Sequence, residues 1–226
     1  MPTSGLLFAT SKIKNPELSD DVYNKWYNDI HLPDVLATGG APIALRYKNK
    51  NKDAKMPYLA LYPLDDLAFM ESEKFKNIPL TSDMLPGKGE AYENIEFEIR
   101  TYVPIQKFEG QIEKSGRGNC IICVAMEPAE GTDEEFDEWY RKQHLDMLSM
   151  VRGYRRTTRY KLAPGNDSSL PRYLALHEYD DSDVPGDQLK LVVGTEWSKK
   201  IIGEAKAFDR DVYELVKEAG KTGAKL

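Results

Sequence analysis

Apolar and polar positions along the chain alternate between two rhythms, a short-period one and a helical one. Residues 6–10 form a short apolar run, the mark of a buried strand. After a polar stretch, Ser19 stands where a helix N-cap belongs, with Asp20 and Asp21 in the first turn. Val22, Tyr23, Trp26, Tyr27, Ile30 and His31 then recur at helical spacing and predict an amphipathic helix, which Pro33 is expected to break. Gly39-Gly40 closes that segment. Residues 42–48 and 58–62 read as strands, 64–75 as a second helix, and 92–103 as a half-buried strand in which Ile95, Phe97 and Ile99 alternate with charged residues. The order β-α-β-β-α-β is a ferredoxin-like unit.

The same succession then returns. Val22-Tyr-Asn-Lys-Trp-Tyr-Asn-Asp-Ile-His-Leu-Pro-Asp34 and Glu135-Phe-Asp-Glu-Trp-Tyr-Arg-Lys-Gln-His-Leu-Asp-Met147 share Trp-Tyr, three variable residues and His-Leu. Trp26 and Trp139 stand 113 positions apart, as do His31 and His144. Residues 120–126, 153–162 and 172–179 repeat the strands, and Thr132-Asp-Glu-Glu135 fits a capping box before the repeated helix. Arg46-Tyr47 matches Arg159-Tyr160 at a shift of 113, residues 58–61 match 173–176 at 115, and 97–99 are aligned with 213–215 at 116. The expected fold class is therefore α+β: two tandem βαββαβ units, 1–105 and 119–226, joined by a linker at 106–118. A lone unit leaves one sheet face bare, so the two are expected to close into an intramolecular, pseudo-dimeric α/β-barrel, in a chain that is a monomer or homodimer.

Composition narrows the function. The chain has 226 residues and a net charge of −6, which argues against a broad nucleic-acid footprint. No apolar run approaches the roughly 20 residues that span a bilayer, and the start has no signal-peptide pattern, so no membrane partner and a cytoplasmic location are expected. Cys120 and Cys123 lie three apart on a predicted strand, point to opposite faces, and read as plain core residues. His31, His144 and His177 show no metal-ligand spacing, and no nucleotide-binding motif is present, so neither a metal nor a cofactor is expected.

Trp-Tyr-x-x-x-His-Leu-Pro, followed by a glycine and Arg-Tyr, resembles the dimeric α/β-barrel superfamily, in particular its EthD-like branch; the stretch 151–162 resembles the strand after the first helix. The resemblance covers both halves, as a fused version of a usual homodimer, although Asp146 replaces Pro33 in the second copy. It implies a small-molecule protein, with relatives that include cofactor-independent monooxygenases, muconolactone isomerases, polyketide cyclases and decarboxylases, haem-binding peroxidase-like enzymes, and proteins without known activity.

Tyr27 with His31, and Tyr140 with His144, are four apart and share a helical stripe, a pairing suited to proton transfer on an enolisable or phenolic molecule. Arg46 and Arg159 are candidates to hold a carboxylate or developing enolate. The halves also differ. Ile43 and Leu45 become Arg156 and Thr158, and Tyr62 becomes His177, a polar set that points to the second half as the active or binding one. A purely structural reading stands beside this, in which each helix histidine anchors its helix end through a backbone carbonyl. The leading expectation is a cofactor-independent cyclase, decarboxylase or isomerase acting on an aromatic, polyketide-like or lactone molecule. The alternatives are a non-catalytic binding or stress-associated protein and a haem-dependent or cofactor-free oxidase.

Overall fold

The computed structural model describes residues 2–221. Its first half runs β1 (Gly5–Ile13), α1 (Asp20–Trp26), a π-helical turn (Tyr27–His31), α2 (Leu32–Ala37), β2 (Ile43–Asn49), β3 (Tyr58–Leu64), a 3₁₀ turn (Leu67–Glu71), α3 (Glu73–Lys76), α4 (Ala91–Asn94) and β4 (Ile95–Phe108). The second half runs β5 (Cys120–Glu127), α5 (Asp133–Trp139), a second π-helical turn (Tyr140–His144), α6 (Leu145–Ser149), β6 (Tyr154–Leu162), β7 (Tyr173–Tyr179), α7 (Gly186–Val193), α8 (Glu196–Glu204) and β8 (Ala207–Gly220). Hydrogen bonding orders these strands β1-β3-β2-β8-β5-β7-β6-β4 and closes them into an eight-stranded barrel. This is the α+β class expected from the repeat. Residues 2–103 with 215–221 form one compact unit, and 104–214 form the other. Residues 222–226 of the expected second unit lie outside the described residues.

In unit one, Leu7 and Ala9 of β1, Ala44 of β2, and Tyr58, Ala60 and Tyr62 of β3 pack with Tyr23, Trp26 and Tyr27. The alternate positions Leu6, Phe8, Leu45, Leu59 and Leu61 are buried as well, so both strand faces are apolar, as the sequence suggests. Unit two repeats the helix-side layer with Ile122, Val124 and Met126 of β5, Ala175 and Tyr179 of β7, and Phe136, Trp139 and Tyr140.

Several local expectations are corrected. Pro33 does not end the helix: the π turn carries the chain through, with the Leu32 N–H bonded to the Tyr27 carbonyl, and the proline stands at the start of α2. Thr132 does not cap α5; its φ and ψ of −105° and 16° are wrong for a cap, and its hydroxyl donates to the Ala129 carbonyl at 2.8 Å. The helix expected over 64–75 is split, because Leu64 belongs to β3 and extended Ser72 starts a new helix by accepting from the Phe75 N–H at 3.2 Å. Residues 106–108 continue β4 instead of opening the linker. α7 and α8 occupy a stretch to which the sequence pattern assigns no element.

Strand register also replaces the alignment of the last strands. Ala9 pairs with Ala60 and Ile99, and Val124 pairs with Ala175 and Arg210. Ile99 and Arg210 are therefore equivalent, as are Phe97 and Phe208. The shift there is 111, not 116, because the connection before the last strand is shorter in unit two. The same registers pair Leu7 with Tyr62 and Ile122 with His177, so the equivalence of Tyr62 and His177 stands.

Candidate active site

Each unit holds a cavity between its sheet and its helices. The cavity of unit one is about 330 Å³, with Leu7, Ala9, Tyr27, His31, Tyr62 and Ile99 among its lining residues. That of unit two is about 450 Å³, and its walls include Trp139, Tyr140, His144, His177, Lys190 and Arg210. Both fall in the size range of small-molecule sites.

The π turn explains how one short motif supplies three cavity-facing rings in unit two and two in unit one. In an α-helix, residues five apart point about 140° away from one another. Closing a turn by an i→i+5 hydrogen bond brings them into line. Trp26 and His31 accordingly stack at 5.1 Å with 18° between their planes, and Trp139 and His144 at 4.1 Å and 27°. Tyr27 and Tyr140 meet the same histidines edge to face at 4.9 and 5.3 Å. A reading based on a 3.6-residue period finds the Tyr–His stripe but misses this stack.

In unit one the Tyr27 and Tyr62 hydroxyls lie 3.1 Å apart. Burial pushes the Tyr27 phenol well above its ordinary pKa and that of Tyr62 up to about 12, so both stay neutral donors. Burial lowers His31 to about 4, against an opposing contact with the Pro79 backbone. Its Nδ1 is enclosed without a partner.

Unit two replaces the phenol pair by two imidazoles. His144 and His177 lie 6.4 Å apart at 75°. Burial, reinforced by the charge of Arg210, holds His177 down to about 3; burial, with His177 next in weight, holds His144 well below the usual imidazole value. His177 Nδ1 lies 2.8 Å from Thr157 Oγ1, which accepts from the Tyr154 hydroxyl at 2.9 Å. A Thr157 hydroxyl that donates to Nδ1 would leave the proton of His177 on Nε2. Nδ1 of His144 is enclosed without a partner.

Other sequence candidates lie elsewhere. Arg46 and Arg159 line neither cavity. Arg46 stacks over Tyr27 at 4.2 Å and donates to Asn24 and Asn28; Arg159 stacks over Tyr140 at 4.0 Å and pairs with Asp137 at 2.9 Å. Both brace the tyrosines from behind. Arg156 and Thr158 are not beside His177, because they alternate to the other strand face: Arg156 pairs across the sheet with Glu178, and Thr158 with Leu176. The neighbour of His177 is Thr157. Lys190 and Arg210 are the charged cavity residues that the sequence pattern does not reveal, since α7 carries no clear periodic signal and the register of β8 differs from the repeat alignment. Both cysteines are buried, and neither is in a disulfide.

Among the described residues no three His, Cys, Asp or Glu side chains gather at metal-ligand range. No helix among the described residues is long and apolar enough to cross a membrane.

No family model matches the chain. It is 29% identical over 191 residues to core atranone cluster (CAC) protein 1 of Stachybotrys chlorohalonatus (strain IBT 40285), covering 78% of this chain and 82% of that one. The fold is that of dimeric α+β barrel proteins. A candidate monooxygenase from Fusobacterium nucleatum aligns with TM-score 0.63 at 13% identity, over 99% of this chain and 98% of its own. An anthrone oxidase-like protein aligns with TM-score 0.61 at 14% identity, over 97% and 94%. A mutant chlorite dismutase from Candidatus Nitrospira defluvii aligns with TM-score 0.59 at 10% identity, over 96% and 92%.

Proposed function

We propose that the chain is a cofactor-independent enzyme of secondary metabolism, built as a tandem duplication of an EthD-like unit, and that the cavity of unit two is its active site. One observation carries this reading: two neutral imidazoles face the cavity of unit two 6.4 Å apart, where unit one has Tyr62 as the counterpart of His177. His144 Nε2 takes a proton from an enolisable or phenolic carbon acid. His177, kept neutral and protonated on Nε2 by Thr157, donates a hydrogen bond to the oxygen on which negative charge develops. Tyr140 closes one wall, and the apolar lining favours an aromatic or polyketide-like ring system. Sequence similarity to an atranone-cluster protein supports the secondary-metabolic setting.

An enolate formed in this way has two fates, isomerisation or cyclisation on one side and reaction with oxygen on the other. The oxidative fate is favoured by the candidate monooxygenase and the anthrone oxidase-like protein among the structural neighbours. Purified protein is to be incubated with anthrones and hydroxynaphthalenes, with oxygen uptake and deuterium exchange at the acidic carbon followed together. Exchange that His144→Gln abolishes supports the proton-transfer site. Oxygen uptake on top of it assigns the oxidative outcome. No exchange and no uptake with any of these compounds, despite binding, favours a non-catalytic binding protein.

A further inference from the structure

The two cavities share a plan but differ in charge at the mouth. In unit one the lining cation is Lys76, whose ammonium lies 3.8 Å from the carboxylate of Glu71, also a lining residue. The position equivalent to Arg210 is the apolar Ile99. In unit two the lining holds Lys190 and Arg210 and no acidic side chain. Neither cation makes an ion pair among the described residues. Asp209 and Asp211 flank Arg210 in sequence but alternate to the opposite strand face. This surplus stands out in a chain with 31 basic and 37 acidic residues.

Resting on the reading of this cavity as the active site, we propose that its ligand is an aromatic carboxylate, with the ring system among Trp139, Tyr140 and Leu148 and the carboxylate held at the mouth by Lys190 and Arg210. A guanidinium matches a carboxylate with two parallel hydrogen bonds, and an ammonium on a flexible stem follows it as a point charge. The two cations also provide attraction to an anion in a protein whose overall charge would repel one. A carboxylate bound at Arg210 would offset the charge that helps to hold His177 low, coupling ligand binding to the state of the imidazole pair.

The test compares 1-hydroxy-2-naphthoate with its uncharged methyl ester, by calorimetric titration of the full chain. Wild type is expected to bind the acid about tenfold more tightly than the ester, with the difference shrinking at high salt. Arg210→Ile, which installs the residue of unit one, together with Lys190→Ala, is expected to erase the preference for the acid while ester affinity stays the same. Both side chains are exposed, so folding is not at stake. Lys76→Ala is the control and should change nothing. If the ester binds but the acid binds no better, or if the double variant keeps its preference, the carboxylate assignment is overturned and the cavity remains a ligand site. If neither probe binds wild type, both that assignment and the active-site reading fall.

Discussion

His144 and His177 come from different elements, the end of a π turn and the middle of β7, yet their rings meet edge to face 6.4 Å apart. Each is supplied by its own backbone, so each can be removed without moving the other. His144→Gln is expected to lower turnover on the order of a hundredfold with substrate affinity nearly unchanged, the cost of losing a positioned base. His177→Gln should do likewise by removing the donor to the developing oxyanion. His31→Gln, in unit one, should leave turnover intact. Steady-state kinetics on the three variants check this, and a loss confined to His31→Gln would move the site to the other unit.

Thr157 is the hydrogen-bond partner of His177 Nδ1, so in the proposed site it decides which nitrogen carries the proton. Thr157→Val keeps the shape and removes the hydroxyl, so the buried Nδ1 loses its hydrogen bond and the tautomer is no longer fixed. A bond of this kind is worth roughly 1–2 kcal/mol, so kcat should fall about tenfold while KM stays within a factor of two or three. Thr157→Ser should restore most of the rate. A purely packing role for Thr157 predicts the opposite order, with valine the better replacement.

Most of the barrel was legible because its signals are local and doubled. Ser19 caps α1 as its residue type suggests, accepting from the Val22 N–H at 3.3 Å, and the strand alternation survives into the register. Errors arose where a non-local constraint decides. Nothing in the spacing of Trp139 and His144 announces a π turn, because the pattern of apolar positions is read against a period that the turn interrupts. Arg210 was hidden for a different reason: matching Phe-Glu-Ile to Tyr-Glu-Leu looked convincing, but pairing with Val124 fixes another register. The difference between Tyr62 and His177 was readable from the repeat alone. Its partner Thr157 was not, since the repeat fixes which residues are equivalent but not the register between strands, and only the pairing of Thr157 with His177 puts the two on one face.

Burial of the histidines makes stability depend on acid. His31 titrates near 4 in the folded chain against 6.5 when unfolded, so between those values the unfolded state binds more protons. Stability therefore rises with pH through this window, is fully present above 6.5, and is lost as the pH falls towards 4. A shift of that size corresponds to about 3 kcal/mol from His31 alone, and His144 and His177 act in the same direction. Denaturant unfolding at pH 7 and pH 4.5 should show this loss, and His31→Gln should flatten the slope. An unchanged slope in that variant would mean that the ring is not held neutral.

Arg156, expected from sequence to touch substrate, belongs to a buried ion cluster. Its Nη1 lies 3.0 Å from both oxygens of Glu178, whose carboxylate also faces Arg155 at 3.6 Å and Arg117 at 3.9 Å and accepts from the Gly118 N–H at 2.5 Å. A Cβ at Gly118 would stand 1.9 Å from the Tyr179 carbonyl oxygen, so only glycine lets the backbone come this close. Glu178→Gln removes the buried carboxylate these guanidiniums share, leaving, among the described residues, Arg156 only the carboxylate of Glu109 at 3.7 Å and Arg155 only that of Asp180 at 2.5 Å, and should cost about 3 kcal/mol. Unit one fills the equivalent pair with Ile43 and Pro63, which shows that the fold does not require charge there. Arg156→Ile combined with Glu178→Val should therefore be markedly less destabilised than the sum of the single changes. Denaturant melts on the full cycle measure the coupling. Additive losses would mean that the two side chains stabilise the strand pair independently, whereas a drop in substrate affinity with unchanged stability would return Arg156 to the site.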